Sequence, residues 1–248
     1  MRIPLFLFVL FFAPLALGAD YEREKRWADE ITPGLIVGDP VYLQTSNGHK
    51  FLNLYTEAAK AKAAVIVVHG IGIHPDWGLI GMLRTRLAEQ GYTTLSVQMP
   101  VLAADAKGDA YPPDFPEAGE RLAAAIKYLQ EKGYKKIALV SHSMGARMSS
   151  DYLKNNPAAP LFAWVSWAIT NDALGSLGIL KFPVLDLYGE KDLPQVLENN
   201  QARAQAIKKI KGSAQIMASE ADHFFNGQDD VLVKYVKSFL DRALKRAR

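Results

Sequence analysis

The stretch KKIALVSHSMGARMSSDYLKNN (135–156) decides the fold. Its first part, KKIALVSHS (135–143), carries an aliphatic run that predicts a buried strand. Its second part, MGARMSSDYLKNN (144–156), predicts a helix that Pro157 closes. Ser143 therefore stands on a tight turn between a strand and a helix. Small residues, Ser141 and Gly145, lie two positions to either side. The turn needs them, because bulk there would collide with neighbouring backbone. The helix behind Ser143 points its positive end at any negative charge that develops beside the serine. The competing reading is a serine that only caps the helix, a role serine fills well.

Outward from this unit the chain alternates strands and helices. AAVIVVHG (63–70) is a continuous apolar run ended by glycine, as in strands buried on both faces of a parallel sheet. WGLIGMLRTRLAEQGY (77–92) predicts a helix with Gly91 as its stop, and TTLSVQMP (93–100) the next strand. PEAGERLAAAIKYLQEKGY (116–134) predicts a helix, LFAWVSWA (161–168) and FPVLDLYGE (182–190) strands. DLPQVLENNQARAQAIKKIK (192–211) reads as one helix, AQIMASE (214–220) as the last strand, and QDDVLVKYVKSFLDRALKRA (228–247) as the closing helix. Upstream, VYLQT (41–45) and KFLNLYTEA (50–58) flank the turn SNG (46–48), which is a hairpin signal. YEREKRWADEI (21–31) reads as a short amphipathic helix or an arm. The expected architecture is α/β, a doubly wound, mostly parallel sheet that is antiparallel only at its start. Sites in such sheets lie at the carboxyl ends of the strands.

On the elbow VSHSMGARM (140–148) and the strand–helix alternation, the chain resembles the α/β-hydrolase superfamily from about residue 50 to 245. That resemblance implies a Ser–acid–His triad in this chain order. Asp192 follows the strand in VLDLYGEKDLP (184–194), where the family places its acid. His223 stands in SEADHFFNG (219–227), after the last strand, where the family places its base. The chemistry agrees: a serine hydroxyl needs a base, and the imidazole needs a carboxylate to fix its tautomer. Asp172 and Glu190 compete with Asp192 for the acid. Asp186 is expected to point from mid-strand into packing, and Asp222 to be a loop carboxylate. The resemblance further implies an oxyanion hole, and position assigns it to the backbone N–H groups of Ile71 and Met144. Gly70 and Gly72 let that loop bend closely around a substrate carbonyl.

The loop VVHGIGIHPDW (67–77) also resembles that of an uncharacterised group of exported bacterial α/β hydrolases, with HG-x-G-x-HPDW as its mark. His69 is expected to brace the loop by hydrogen bonding, and His142 to face the interior. His74 and Asp76 read as a turn and helix cap, Trp77 as packing under the helix, and His49 as surface. Only about 13 residues (169–181) separate two strands, so no large cap domain fits. In PVLAADAKGDAYPPDFPEAGE (100–120), Tyr111, Pro112, Pro113 and Phe115 are candidates for a pocket rim.

Composition narrows the rest. The absence of cysteine excludes disulfides, thiolate metal sites and a cysteine nucleophile. The five histidines show no zinc spacing, so neither metal nor cofactor is expected. The net charge of +3 is spread among interleaved signs, which argues against nucleic acid as a partner. RALKRAR (242–248) reads as a solvated helix tail. Residues 1–19 read as a signal peptide: Arg2, an apolar run IPLFLFVLFFAPLAL (3–17), then Gly18 and Ala19 at the cleavage point. Fifteen helical residues reach about 22 Å, short of the roughly 30 Å needed to span. The expectation is an exported bacterial protein, periplasmic or secreted, with one domain over 20–248 and no stable membrane span once cleaved. Its expected activity is hydrolysis of small-molecule or acyl esters or thioesters, with a peptidase or amidase as the alternative. A non-catalytic binder on the same fold is the rival of another class.

Overall fold

The computed structural model describes residues 18–170, 174–198 and 200–247. The expected signal peptide lies almost wholly outside them. Helix α1 (Tyr21–Gly34) begins at the cap residue Asp20, whose side chain accepts from the Arg23 N–H. The hairpin follows as β1 (Asp39–Gln44) and β2 (Lys50–Thr56), paired antiparallel. The alternating part runs β3 (Ala63–Val68), α2 (Gly78–Glu89), β4 (Tyr92–Val97), α3 (Phe115–Glu131), β5 (Ile137–His142) and α4 (Met144–Asn155). It continues through β6 (Ala163–Trp167), the short α5 (Leu174–Leu177), β7 (Val184–Lys191), α6 (Pro194–Leu197), α7 (Asn200–Lys208), β8 (Ala214–Asp222) and α8 (Asp229–Arg246).

The eight strands form one sheet in the order β1-β2-β4-β3-β5-β6-β7-β8. Pairing is antiparallel from β1 to β4 and parallel from β4 to β8, as the sequence predicts. Strands β3, β4, β5 and β6 are buried at every position, which is why none shows a polar–apolar alternation and β3 reads as an unbroken apolar run. Their two faces feed two cores. Ile66, Val68, Leu95 and Leu139 pack with Leu122 and Leu129 of α3 and Leu153 of α4. Val65, Val67, Val140 and Leu187 pack with Leu83 and Leu87 of α2 and Val236 and Phe239 of α8. Among the described residues, no helix is long and apolar enough to cross a membrane.

One expected helix is broken. Residues 192–211 form α6 and α7 with an extended residue, Glu198 (ψ 141°), between them. The break turns α7 so that the fully buried Arg203 donates from Nε to Asp186 Oδ2 at 2.9 Å and from Nη1 to the Glu198 carbonyl. Asp186 thus belongs to packing, as expected. A helix continued straight through would leave that buried carboxylate without its cation.

Candidate active site

Ser143, Asp192 and His223 follow β5, β7 and β8, three strands that end on one edge of the sheet. Ser143 has φ 54° and ψ −120°, a conformation that side chains rarely adopt. It costs on the order of 1–3 kcal/mol and survives only where the surroundings enforce it. The enforcement is visible. The Ser143 N–H donates to the Trp167 carbonyl at 2.9 Å, and α4 starts at once behind it. A Cβ on Gly145 would sit 2.2 Å from the His69 carbonyl, so the helix can approach β3 only with glycine there. Ser141, buried on β5, accepts from the Trp164 indole at 2.7 Å.

The three side chains touch in series. His223 Nε2 lies 3.0 Å from Ser143 Oγ, and its Nδ1 lies 2.6 Å from Asp192 Oδ1. The Nδ1–H therefore donates to the carboxylate and leaves the Nε2 lone pair toward the serine hydroxyl. Asp192 is itself fixed, accepting from the backbone N–H of Leu193 at 2.8 Å and of Gly189 at 3.2 Å. Both Asp192 and His223 are buried. The rival acids are elsewhere: Glu190 accepts from Ser219 Oγ and the Glu220 N–H at the surface, and Asp172 lies outside the described residues. Asp222 ties its own loop, accepting from the N–H of Phe224 and of Asn226.

The loop after β3 closes against the elbow. A Cβ on Gly70 would lie 3.1 Å from the Ser143 Cβ. The residue before Ile71 is thus against the serine, and Met144, the other expected oxyanion donor, follows Ser143 directly in the chain. Met144 opens α4, where the first N–H groups have no partner within the helix. His69 braces this loop: its Nδ1–H donates to the Gly70 carbonyl at 2.8 Å, and its Nε2 accepts from the Met99 N–H at 2.9 Å. Buried His142 donates from Nε2 to the His223 carbonyl at 3.1 Å.

Burial holds both of these histidines neutral, with pKa values pushed down to about 3; for His142 the neighbouring His223 adds to the effect. In the unfolded chain each takes a proton near pH 6.5. Their contribution to stability is thus complete above that value and is lost as the pH falls from about 6.5 toward 3. Near pH 5 each lets the unfolded chain bind about one extra proton, equivalent to about 1.4 kcal/mol per pH unit. His142→Gln should make the pH dependence of urea-unfolding stability shallower by about one proton between roughly pH 4 and 6. An unchanged slope would mean that His142 is not held neutral in the fold.

Several expectations are corrected here. Trp77 does not pack under its helix; it is 36% exposed and its ring lies 5.6 Å from that of Phe224, beside His223. Asp76 makes no cap to α2 but accepts from Nε and Nη2 of the buried Arg84. Tyr111 is no rim residue: it is buried, and its hydroxyl accepts from the Leu102 N–H at 3.2 Å, tying down the chain that follows β4. His49 is half-buried, stacked on Tyr21 and 3.1 Å from Glu24. No motif marks the part played by α1. Arg23 donates to the Leu102 carbonyl at 2.8 Å, reaches within 3.5 Å of the Gly72 carbonyl, and stacks on Trp27. The helix thus straps the same loop from outside.

Solved structures share this architecture. Est1E from Butyrivibrio proteoclasticus is 13% identical, with a TM-score of 0.67 over 83% of this chain and 99% of that one. Dienelactone hydrolase from Anabaena variabilis is 19% identical, with 0.70 over 81% and 94%. A serine hydrolase from Xanthomonas campestris, described as lacking a lid, is 17% identical, with 0.60 over 84% and 95%. The protein has the α/β-hydrolase fold, and β6 and β7 are joined without room for a large cap. It belongs to the family described as "Protein of unknown function (DUF3530)", whose matches cover residues 22–118 and 114–242. No curated protein matches it.

Proposed function

We propose that the protein is a serine hydrolase of carboxylic esters or thioesters. The observation that carries this is the unbroken series Ser143 Oγ, His223 Nε2, His223 Nδ1, Asp192 Oδ1, at 3.0 and 2.6 Å. In the first half-reaction Ser143 Oγ attacks the carbonyl carbon while His223 Nε2 takes its proton. The oxyanion accepts from the N–H groups of Ile71 and Met144, each such donor worth about 2.7–4 kcal/mol in other hydrolases. The imidazolium, stabilised by Asp192, protonates the leaving alcohol or thiol as the acyl-enzyme forms. Water then enters, gives its proton to His223 and its oxygen to the acyl carbon, and the proton returns to Ser143 as the acid leaves.

The surroundings favour acyl groups arriving from solvent. Ile71, Trp77, Leu193 and Phe224 stand around the triad with 36–47% of their surface exposed. They offer an apolar landing for the acyl or alcohol part, with no lid domain to move. That the fold is shared with proteins described as a dienelactone hydrolase and a serine hydrolase supports the reaction class. A fluorophosphonate probe should label the wild-type protein at Ser143, as located by peptide mass mapping. Ser143→Ala should lose both labelling and p-nitrophenyl ester hydrolysis with its thermal midpoint nearly unchanged. Labelling that persists in the variant would overturn the assignment.

A further inference from the structure

A cavity of about 550 Å³ opens at the other end of the sheet. Strands β5 to β8 are parallel, so their amino ends share one edge, and the segments leading into them form its walls. Lys135 and Lys136 precede β5, Lys181 precedes β7, Lys211 precedes β8, and Arg246 comes from the last turn of α8. Ser143 lies beyond the far end of β5, six residues past Ile137 and so about 20 Å away at the usual rise per residue. A molecule in this cavity does not reach the triad.

The lining has two chemical characters. Five cationic side chains meet there, and no aspartate or glutamate is among the lining residues. Lys136 is tied back, donating from Nζ to the Ala247 carbonyl, while Lys135, Lys181, Lys211 and Arg246 are exposed at the mouth. The wall behind them is apolar and buried: Leu161, Phe162 and Phe182. Like charges gathered around a concavity repel one another and concentrate anions. A volume of this size is within the range of single small-ligand sites. A concave site of that size suits one dissolved molecule; a bilayer would present a broad face to it.

We propose that this cavity binds a single-chain amphiphile with an anionic headgroup. The charge sits among Lys135, Lys181, Lys211 and Arg246, and the alkyl chain lies against Phe162 and Phe182. This site is independent of the hydrolase reading and stands or falls apart from it.

Dodecyl phosphate, titrated calorimetrically below its micelle concentration, is a suitable probe. It should bind saturably at one site per chain. Inorganic phosphate, which lacks the chain, and dodecyl maltoside, which lacks the charge, should each bind at least about tenfold more weakly. Lys181→Gln/Arg246→Gln changes only exposed side chains and should weaken the probe by at least about tenfold, leaving the thermal midpoint and any ester hydrolysis unchanged. Three results would overturn the proposal. The double variant could bind as tightly as wild type. Dodecyl phosphate could prevent fluorophosphonate labelling of Ser143 as it binds, which would place it at the triad. Or the protein could bind phosphatidylglycerol vesicles but not the dissolved probe, which would make the cationic edge a membrane contact.

Discussion

Asp192→Asn should lower the rate of acylation by several orders of magnitude while leaving the protein folded. The asparagine keeps the shape but removes the charge. Its amide can turn an N–H toward His223 Nδ1, which selects the tautomer whose proton faces Ser143 instead of its lone pair. In a serine protease the corresponding change costs about 10⁴ in turnover, and that is the scale expected here. Ser143 and its proposed oxyanion donors remain, so slow residual labelling should persist. Glu190→Gln is the matched control, because that carboxylate lies at the surface and accepts from Ser219 Oγ and the Glu220 N–H, away from His223. Single-turnover acylation by a p-nitrophenyl ester measures both. A near-normal rate for Asp192→Asn would mean that the orienting acid lies elsewhere, and Asp172 would be the next to test.

The second large effect concerns stability. Arg121 is fully buried on α3 and donates from Nη1 and Nη2 to both carboxylate oxygens of Glu24 on α1, at 2.9 and 3.0 Å. It also donates to the Gln98 carbonyl at 3.0 Å and pairs with Glu117. Replacing one partner leaves the other charge buried without its mate, a change that typically costs about 3–5 kcal/mol. Arg121→Met should therefore lower the urea-unfolding free energy by that amount and the thermal midpoint by roughly 10 °C. A loss below about 1 kcal/mol would place the pair with ordinary surface bridges. Activity should fall further than stability alone explains, since α1 also carries Arg23 to the loop that bears Ile71.

Much of this was legible in the sequence because it is locally encoded. Buried parallel strands leave unbroken apolar runs, and the elbow leaves a serine between small residues at a strand–helix junction. The chain order then points to Asp192 and His223, and the structure brings the three side chains within hydrogen-bond reach. What escaped depends on side-chain direction or on distant partners. Tyr111 sits in a loop whose prolines look like rim, yet it is buried and its hydroxyl meets the Leu102 N–H. Trp77 meets Phe224 across nearly 150 residues of chain, which no local pattern announces. The break at Glu198 follows from the demand of Asp186 for Arg203, and the strap formed by α1 from a pairing 97 residues apart. The cationic cavity is assembled from four strand entries and a helix end, none conspicuous alone.

The positive φ of Ser143 sets two selective pressures against each other. Glycine would occupy that turn without strain, and would erase the hydroxyl on which the proposed reaction depends. A lineage under selection for robustness alone would drift toward glycine at 143; one that lives by hydrolysis must keep the strained serine and draw its margin of stability from elsewhere. Alanine carries the same backbone burden as serine, so it removes the chemistry without the relief. Among descendants of this chain, a glycine at 143 would record a scaffold kept after the proposed chemistry was given up.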